Sequence, residues 1–311
     1  MNSNAQISQG LSERLLTSQL DTLTRINLDD LVSSFGWQKQ PLLAAMLRGL
    51  FFKSARKFAQ QMVEYDNLVG QAGLHQASRQ ILQKRYISDL RLYGREYIPT
   101  SGPALFLSNH PGMTDTISLF AAIPRSDLRI IAYHRPFLAS LVNVSKQLSY
   151  ISDDPGERMR AVRQVSAHLR AGRAALTFPA GEIEPDPLVH EGALDSLSNW
   201  TDSAAIFLRF SPAMPIVPVM VSGVLWEKAQ HHWLTRMRQT REEREKLAAA
   251  LQLLAMVTRD ARPTTVHVRF AKPITVEEVG SADMECIHEK LMDRMRSLIE
   301  NQKDEQGESV L

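Results

Sequence analysis

The spacing of apolar and polar residues changes character near residue 88. Residues 1–87 show helical spacing and almost no strand signal. The pattern predicts helices over Leu11–Leu23 and Leu28–Ser34, followed by a long helix from Pro41 to about Leu68. Pro41 suits a first helical turn, because its missing N–H would have no helical partner there. The sequence therefore predicts an N-terminal helical region over residues 1–87.

From residue 88 onward, short apolar runs alternate with helical patterns. Near-continuous apolar strands separated by helices are typical of an α/β sheet with both faces covered. We therefore predict a mixed sheet covered by helices on both faces in a domain over residues 88–300. The predicted strands are LRLYG (90–94), ALFLS (104–108), LRIIAY (128–133), AALTF (174–178), PIVPVMVSG (215–223) and TVHVRF (265–270).

Helical patterns fill the spaces between these runs and close the domain. A charged helical insertion is expected before the last strand, an amphipathic helix ends the domain, and a flexible tail is expected over residues 301–311. The predicted helices cover Asp115–Ile123, Glu157–Ala171, Asp202–Arg209, 226–257 and 282–300.

Composition narrows the class of protein. The 311 residues are 44% hydrophobic and 23% charged, with a net charge of only +2, which is ordinary for a globular protein. The basic residues are dispersed and no glycine-rich loop follows a strand, so neither nucleic acid nor a nucleotide is an expected partner. A single cysteine, no signal-peptide pattern and no long apolar run lead us to expect a cytoplasmic protein.

The segment LFLSNHPGMTD, residues 105–115, holds the chemistry of most interest. His110 and Asp115 stand five positions apart, and on one helix they would diverge by about 140°. Pro111 and Gly112 predict a tight turn between them, which would let the carboxylate reach the imidazole. The carboxylate would then fix the tautomer and leave the other ring nitrogen as a general base for a hydroxyl. The alternative is a histidine that merely satisfies a polar turn.

Several motifs in order extend this observation. The block LRLYGREYIPTSGPALFLSNHPGMTD resembles the opening of the PlsC-like glycerolipid acyltransferases, which carry Asn-His-x4-Asp after an apolar strand. AYHRPFL with LSYISDD, ALTFPAGEIEPD, PIVPVMVSG and VHVRFAKPITVEE are similar to the later blocks of that family. The resemblance covers about residues 88–280.

This resemblance implies a reaction and a set of site residues. The expected enzyme is an O-acyltransferase of phospholipid biosynthesis that moves an acyl group from acyl-CoA or acyl carrier protein to a lipid acceptor, without metal or cofactor. His110 would be the general base and Asp115 its orienting partner. Asn109 would hold the corner or the oxyanion, and Pro218 would lie at a strand end. Further acceptor-site residues would be Arg135, Phe178, Pro179, Gly181 and Glu182.

The third block departs from the family pattern where a glutamate, a threonine and an arginine are usual. Ala180, Glu182 and Ile183 occupy those positions, and Glu184 and Asp186 follow. Three carboxylates would repel a phosphate. The second block also changes, with Ser152, Asp153 and Asp154 where an arginine commonly stands. Either the acceptor lacks a phosphate and hydrogen-bonds to Glu182, or a nearby arginine supplies the cation. The arginines considered are Arg125, Arg129 and Arg135.

Contact with a membrane is a further expectation. The Pro41–Leu68 helix mixes aromatic and basic residues, as interfacial helices do, and would place the protein peripherally at the inner face of the membrane. The alternative is that this helix packs on the rest of the protein. Two other classes remain open. One is a catalytically inactive, membrane-associated lipid-binding protein. The other, less favoured, is a metal-dependent hydrolase in which His134, His190, His231 or His232 would join His110 and Asp115.

Overall fold

The computed structural model describes residues 2–280, 283–302 and 307–311. The chain divides into two compact units, each built from separate stretches of sequence. The first unit contains residues 1–71, 135–146 and 228–261, and the second contains residues 72–134, 147–227 and 262–311.

Long helices build the first unit. Helix α1 runs unbroken over Asn2–Ser34, where the sequence predicted two shorter helices. Helix α2 begins at Pro41 as predicted, but continues past Leu68 to Ile81 with a break at Gly73. Because apolar spacing weakens toward its C-terminal half, the pattern placed the end of α2 too early.

Two short helices and the predicted insertion complete the helical parts of this region. Helices α4 (Pro136–Ala139) and α5 (Val142–Ser145) follow the third strand. The buried Asp66 fixes α5, since it accepts the main-chain N–H groups of Asn143 (2.8 Å) and Val144 (2.9 Å). The insertion predicted over residues 226–257 contains α9 and α10 with a short 3-10 turn between them. These helices cover Glu227–Gln230 and Arg241–Arg259.

The second unit is organised by one mixed sheet. Its strands in the described part of the chain run in the order β4-β3-β5-β2-β6-β7-β1-β8. The pairs β4–β3, β3–β5, β5–β2, β2–β6 and β7–β1 are parallel, whereas β6–β7 and β1–β8 are antiparallel. The strands are β1 (Asp89–Tyr93), β2 (Ala104–Ser108), β3 (Arg129–Tyr133), β4 (Leu148–Ile151), β5 (Ala174–Thr177), β6 (Ile216–Ser222), β7 (Thr265–Phe270) and β8 (Glu308–Ser309).

Helices lie on both faces of this sheet, so the predicted fold class is confirmed. The remaining helices are α3 (Asp115–Ala122), α6 (Pro155–Arg170), α7 (Ala193–Ser196), α8 (Ser203–Phe210), α11 (Val276–Val279) and α12 (Met284–Glu300). Helices α6, α8 and α12 pack on the face that carries Leu105 and Leu107 of β2. Phe106 points to the other face and contacts Phe270 edge-on, with ring centroids 6.3 Å apart. Helix α3 contacts β6 and β7, and none of its residues belongs to the hydrophobic cluster formed by α6, α8 and α12 with β2.

Two strands were not predicted from the sequence. Strand β4 is short and only half apolar, so its alternation gave too little signal. Strand β8 lies in the segment expected to be a flexible tail, but Glu308 and Ser309 pair with β1, and Ser309 Oγ donates to Asp89 (2.6 Å). Residues 303–306 of that segment lie outside the described residues.

The topology brings five strand ends to one edge of the sheet, because β6 is also parallel to β2. Strands β4, β3, β5 and β2 are mutually parallel neighbours, so their carboxyl ends lie side by side. Ligands of open α/β sheets bind beyond this edge. The residues that directly follow β2, beginning with Asn109 and His110, therefore lie at this edge.

Candidate active site

The corner between β2 and α3 holds the predicted histidine and aspartate in contact. His110 Nδ1 lies 2.7 Å from Asp115 Oδ2. The turn that brings them together has a left-handed backbone at Gly112 (φ 86°) and Met113 (φ 54°). The side chain of Asp115 is 1% exposed and that of His110 is 28% exposed. The pair is therefore sealed on the carboxylate side and open on the imidazole side.

Other donors hold the Asp115 carboxylate in place. Gly112 N–H donates to Oδ2 (2.8 Å), and the Thr116 hydroxyl donates to Oδ1 (2.9 Å). The Thr116 main-chain N–H also donates to Oδ1. Each of these partners donates to the carboxylate, so its two oxygens are fixed beside the imidazole. With Nδ1–H donating to Asp115, the second ring nitrogen of His110 carries the lone pair.

The charges around His110 favour its protonated form. Burial alone lowers the pKa of His110, but the charge and hydrogen bond of Asp115 and the charge of Glu184 outweigh burial, so the pKa is raised. The ring of Phe178 lies against the imidazole, with centroids 4.5 Å apart. A base with a raised pKa gains driving force for accepting a proton.

Glu184 holds the main chain of His110 in place through two hydrogen bonds. The main-chain N–H of His110 donates to Glu184 Oε2 (2.9 Å), and Glu184 N–H donates to the His110 carbonyl (2.9 Å). Trp200 Nε1–H (2.8 Å) and the Ser196 hydroxyl (3.3 Å) donate to Oε1. Burial raises the pKa of Glu184, against the effect of these donors and of His110. The carboxylate thus belongs to the framework of the corner.

Asp186 is a second buried carboxylate with a structural role. Its side chain is fully buried and accepts N–H groups from Gly223 (2.9 Å), Val224 (2.8 Å), Leu225 (3.0 Å) and Leu188 (3.1 Å). Burial raises the pKa of Asp186, while these donors oppose the rise. Asp186 therefore ties the loop after β5 to the loop after β6.

The expectation of three carboxylates facing an acceptor is wrong for two of them. Glu184 and Asp186 turn inward, and only Glu182 is exposed, where Asn199 Nδ2 donates to it (3.1 Å). No local pattern signals this difference, because Glu184 bonds to His110, 74 positions away, and Asp186 bonds to Gly223, 37 positions away.

Asn109 holds the corner instead of facing a ligand. It is 4% exposed, its Nδ2 donates to the Val221 carbonyl (2.9 Å), and its Oδ1 accepts Val221 N–H (2.7 Å). The side-chain amide is therefore occupied by β6. Of the two roles considered for Asn109, the geometry fits corner support.

The loop after β5 places the other third-block residues beside the corner. The Pro179 carbonyl accepts the N–H (3.2 Å) and hydroxyl (3.0 Å) of Thr201. Gly181 has φ 69° and donates its N–H to the Phe178 carbonyl (3.1 Å), which makes a tight turn. The exposed Ile183 approaches Gly112, so the predicted loop and the His110 corner do meet.

Pro218 and the arginines are placed differently from the predictions. Pro218 lies inside β6, buried and paired with Leu107, because β6 continues to Ser222; it is not at a strand end. Arg125 is buried and bound to Asp127 and to the carbonyls of Pro99 and Gly102. Arg129 begins β3, at the sheet edge opposite the carboxyl ends. Neither can supply the missing cation.

Arg135 belongs to the first unit, where it precedes α4 as an exposed residue. Its role as a substrate-binding residue stays a prediction. Among the residues that the structure describes, no group of three histidine, cysteine, aspartate or glutamate side chains is arranged to hold a metal ion. In the same part of the chain, no helix combines the length and apolarity needed to cross a bilayer.

The fold and the corner together define an α/β protein with a His–Asp pair at the carboxyl edge of its sheet. Residues 89–222 match the family model described as Acyltransferase. This segment spans β1 to β6 and contains His110, Asp115 and Glu184. The family resemblance inferred from the motifs is confirmed for this segment, and the match supports acyltransferase activity in general.

Comparison with solved structures also finds similar chains. One match is the 1-acyl-sn-glycerophosphate (LPA) acyltransferase, PlsC, from Thermotoga maritima, with a TM-score of 0.44 and 16% sequence identity. The alignment covers 95% of this chain and 99% of that one. Comparison with curated proteins gives no match.

Proposed function

We propose that the protein transfers an acyl group from an acyl thioester, either acyl-CoA or acyl carrier protein, to a hydroxyl of a lipid or glycerol-type acceptor. The observation that carries this proposal is the 2.7 Å contact of His110 Nδ1 with Asp115, combined with a sealed carboxylate and a partly exposed imidazole. The acyltransferase-family match over residues 89–222 gives the reaction class.

The proposed steps use the chain's own groups. His110 Nε2 takes the proton of the acceptor hydroxyl while the oxygen attacks the thioester carbonyl. Asp115 stabilises the imidazolium that forms. The tetrahedral intermediate then expels the thiolate, which takes the proton from His110, and the ester product leaves. This sequence needs no protein nucleophile, metal or cofactor.

Fewer residues support an acceptor without a phosphate than the sequence indicated. With Glu184 and Asp186 turned inward, the remaining support is the exposed Glu182 beside the apolar Ile183. We keep this acceptor class as a hypothesis. Strict preference for glycerol 3-phosphate or lysophosphatidate in a panel of acceptors would rule it out.

Replacing the base tests the proposal directly. We expect His110→Ala to lower kcat/KM for acyl transfer by about 10²–10⁴-fold, the usual contribution of a positioned general base. The measurement is mass spectrometry of products from acyl-CoA and a lipid extract. His288→Ala is a matched control, since His288 also contacts an aspartate (Asp202, 3.0 Å) but lies on α12.

Retained activity in His110→Ala would leave the resemblance as one of fold alone. Absence of acyl transfer in the wild-type protein would favour the alternative of a catalytically inactive lipid-binding protein. Loss of activity in the His288→Ala control as well would indicate a general effect on folding.

The proposal includes contact with a membrane surface, because both the acceptor and the product of such a reaction reside there. Helix α2 exposes Leu42 (86%), Met46 (57%) and Leu50 (70%) at intervals of four residues. Successive positions four apart lie on one side of a helix. We therefore propose peripheral attachment through this side of α2, at the inner face of the membrane.

A further inference from the structure

A cavity of about 430 Å³ lies beside the carboxyl ends of β3 and β4. Strand β3 ends at Tyr133 and β4 at Ile151, and the next residues, His134 and Ser152, both line it. Helix α6 closes the other side. The lining residues are His134, Tyr150, Ile151, Ser152, Glu157, Arg160, Ala161 and Gln164.

The cavity and the His110 corner share one edge of the sheet. The order of strands from the corner is β2, β5, β3 and β4, all parallel. Neighbouring strands lie about 4.8 Å apart, so the cavity lies two to three spacings, roughly 10–14 Å, from the strand that precedes His110. One extended substrate can therefore reach both places.

Arg160 is the arginine that lines the cavity. Its side chain makes no ion pair or hydrogen bond with any residue in the part of the chain that the structure describes. The carboxylate in the lining, Glu157, is engaged by the Ser152 hydroxyl at 2.5 Å. Arg158, the neighbouring cation, is within 3.9 Å of Asp153. An unpaired guanidinium beside an amide and an imidazole is a donor set for a phosphate oxygen.

The distance from His110 decides which substrate supplies that phosphate. In a glycerol-type acceptor the phosphate lies only a few bonds from the reacting hydroxyl, which is too short for two or three strand spacings. In a thioester donor the pantetheine arm separates the thioester from its first phosphate by a much longer chain. The cavity thus fits the donor better than the acceptor.

We propose that the Arg160 cavity binds the phosphate at the end of the pantetheine arm of the acyl donor. This inference rests on the proposed function and adds a donor subsite to it. Acyl-CoA and acyl carrier protein share this phosphate, so the same contact serves either donor.

The test removes the guanidinium and the phosphate separately. Kinetics of Arg160→Ala and wild type are compared with acyl-CoA and with the acyl-pantetheine thioester of the same chain, which has no phosphate. We expect KM for acyl-CoA to rise roughly tenfold, in line with one charge-assisted hydrogen bond. KM for acyl-pantetheine and kcat for both donors are expected to stay within about twofold.

Acyl carrier protein as a third donor shows which phosphate is bound. A matching rise in KM assigns the phosphate that both donors share, and a rise with acyl-CoA alone assigns the phosphates nearer its nucleoside.

Arg170→Ala is the matched control. Arg170 is an exposed arginine at the C-terminal end of the same helix, about 15 Å from Arg160 along the axis. It reports any effect of net charge alone. An equal loss in Arg170→Ala, an equal loss with acyl-pantetheine, or no loss in Arg160→Ala would each overturn the inference.

A binding measurement separates this inference from the proposed function. Calorimetric titration with CoA and with pantetheine needs no turnover, and Arg160→Ala should weaken CoA binding roughly tenfold without affecting pantetheine. If CoA binding behaves this way but no thioester is turned over, the proposed reaction fails and the phosphate site stands. If turnover depends on His110 but CoA binding ignores Arg160, the site fails and the reaction stands.

Discussion

At the scale of single residues, the negative charge of Glu184 acts on His110 without touching its ring. The contact runs through the main-chain N–H of His110, at 2.9 Å from Glu184 Oε2. The same charge helps to raise the pKa of the imidazole. Glu184 is therefore a positioning residue with an electrostatic effect, and the two contributions can be measured separately.

We expect Glu184→Gln to move the acidic limb of the pH–rate profile to lower pH. His110 must be neutral to act as a base, so activity falls as the pH drops through its pKa. Removing a negative charge lowers that pKa from its raised value toward the ordinary value, so the acidic limb should move to lower pH. The measurement is kcat/KM against pH.

Glu182→Gln is the matched control for this experiment. It removes the same charge from the same loop, but at an exposed residue bonded to Asn199. An acidic limb that stays in place in Glu184→Gln, with only a lower plateau, would show that Glu184 supports the backbone alone. A displacement of equal size in Glu182→Gln would show that the loop charge acts without regard to burial.

The sequence could predict the pair but not its support. His110 and Asp115 are near in sequence, and the proline and glycine between them signalled the turn. Glu184, Trp200 and Val221 reach the same corner from distant elements, and their residue types have many possible partners. A carboxylate in a polar loop looks solvated until the fold surrounds it, which is why Glu184 was misassigned.

At the scale of elements, the loop after β6 depends on the glycine at position 223. Gly223 has φ 74°, and a Cβ there would lie 2.5 Å from the Thr265 carbonyl oxygen. Its N–H also donates to the buried Asp186. The residue thus meets a conformational and a steric requirement at once.

We expect Gly223→Ala to destabilise the fold by about 3 kcal/mol or more, since the left-handed backbone costs about 1–2 kcal/mol and the carbonyl contact adds to that cost. Gly172→Ala is the control, because Gly172 has a similar φ of 77° but open space around its Cβ position. It should lose only about 1–2 kcal/mol. The free energy of unfolding in urea measures both. Equal losses would mean that the loop moves away from the added methyl group.

The strands were predicted correctly where their residues formed a strong hydrophobic pattern. Strands β2, β5 and β6 are continuous apolar runs, and they were found because the central strands of a parallel sheet are buried on both faces. Strand β4 lies at the sheet edge with two of its four residues only half-buried, and β8 has only two residues. Edge strands gain their structure from pairing, which a local pattern does not reveal.

At the scale of the whole molecule, the two compact units do not follow the predicted boundary between the helical region and the sheet domain. The first unit takes residues 135–146 and 228–261 from within the stretch that includes the sheet. A division of the chain at residue 88 follows the change in the spacing of apolar residues, whereas the compact units are defined by contacts between distant segments. The first unit also holds the exposed apolar side of α2.

That side of α2 leads to a prediction for the intact protein. Leu42, Leu43, Met46 and Leu50 fall within an arc of about 100°, and the exposed Lys53 lies on the same side. Leucine side chains gain about 1.5–3 kcal/mol each on burial in an apolar medium, and a lysine favours anionic lipid. We expect Leu42→Glu with Leu50→Glu to lower sedimentation with anionic vesicles at least tenfold in partition coefficient. The control is Ile206→Glu, which adds a charge at an exposed apolar residue of α8 in the second unit. An interfacial helix cannot bury two carboxylates without a cost in free energy. Unchanged binding in the double variant would therefore show that α2 is not the attachment surface. An equal loss in the control would show the same.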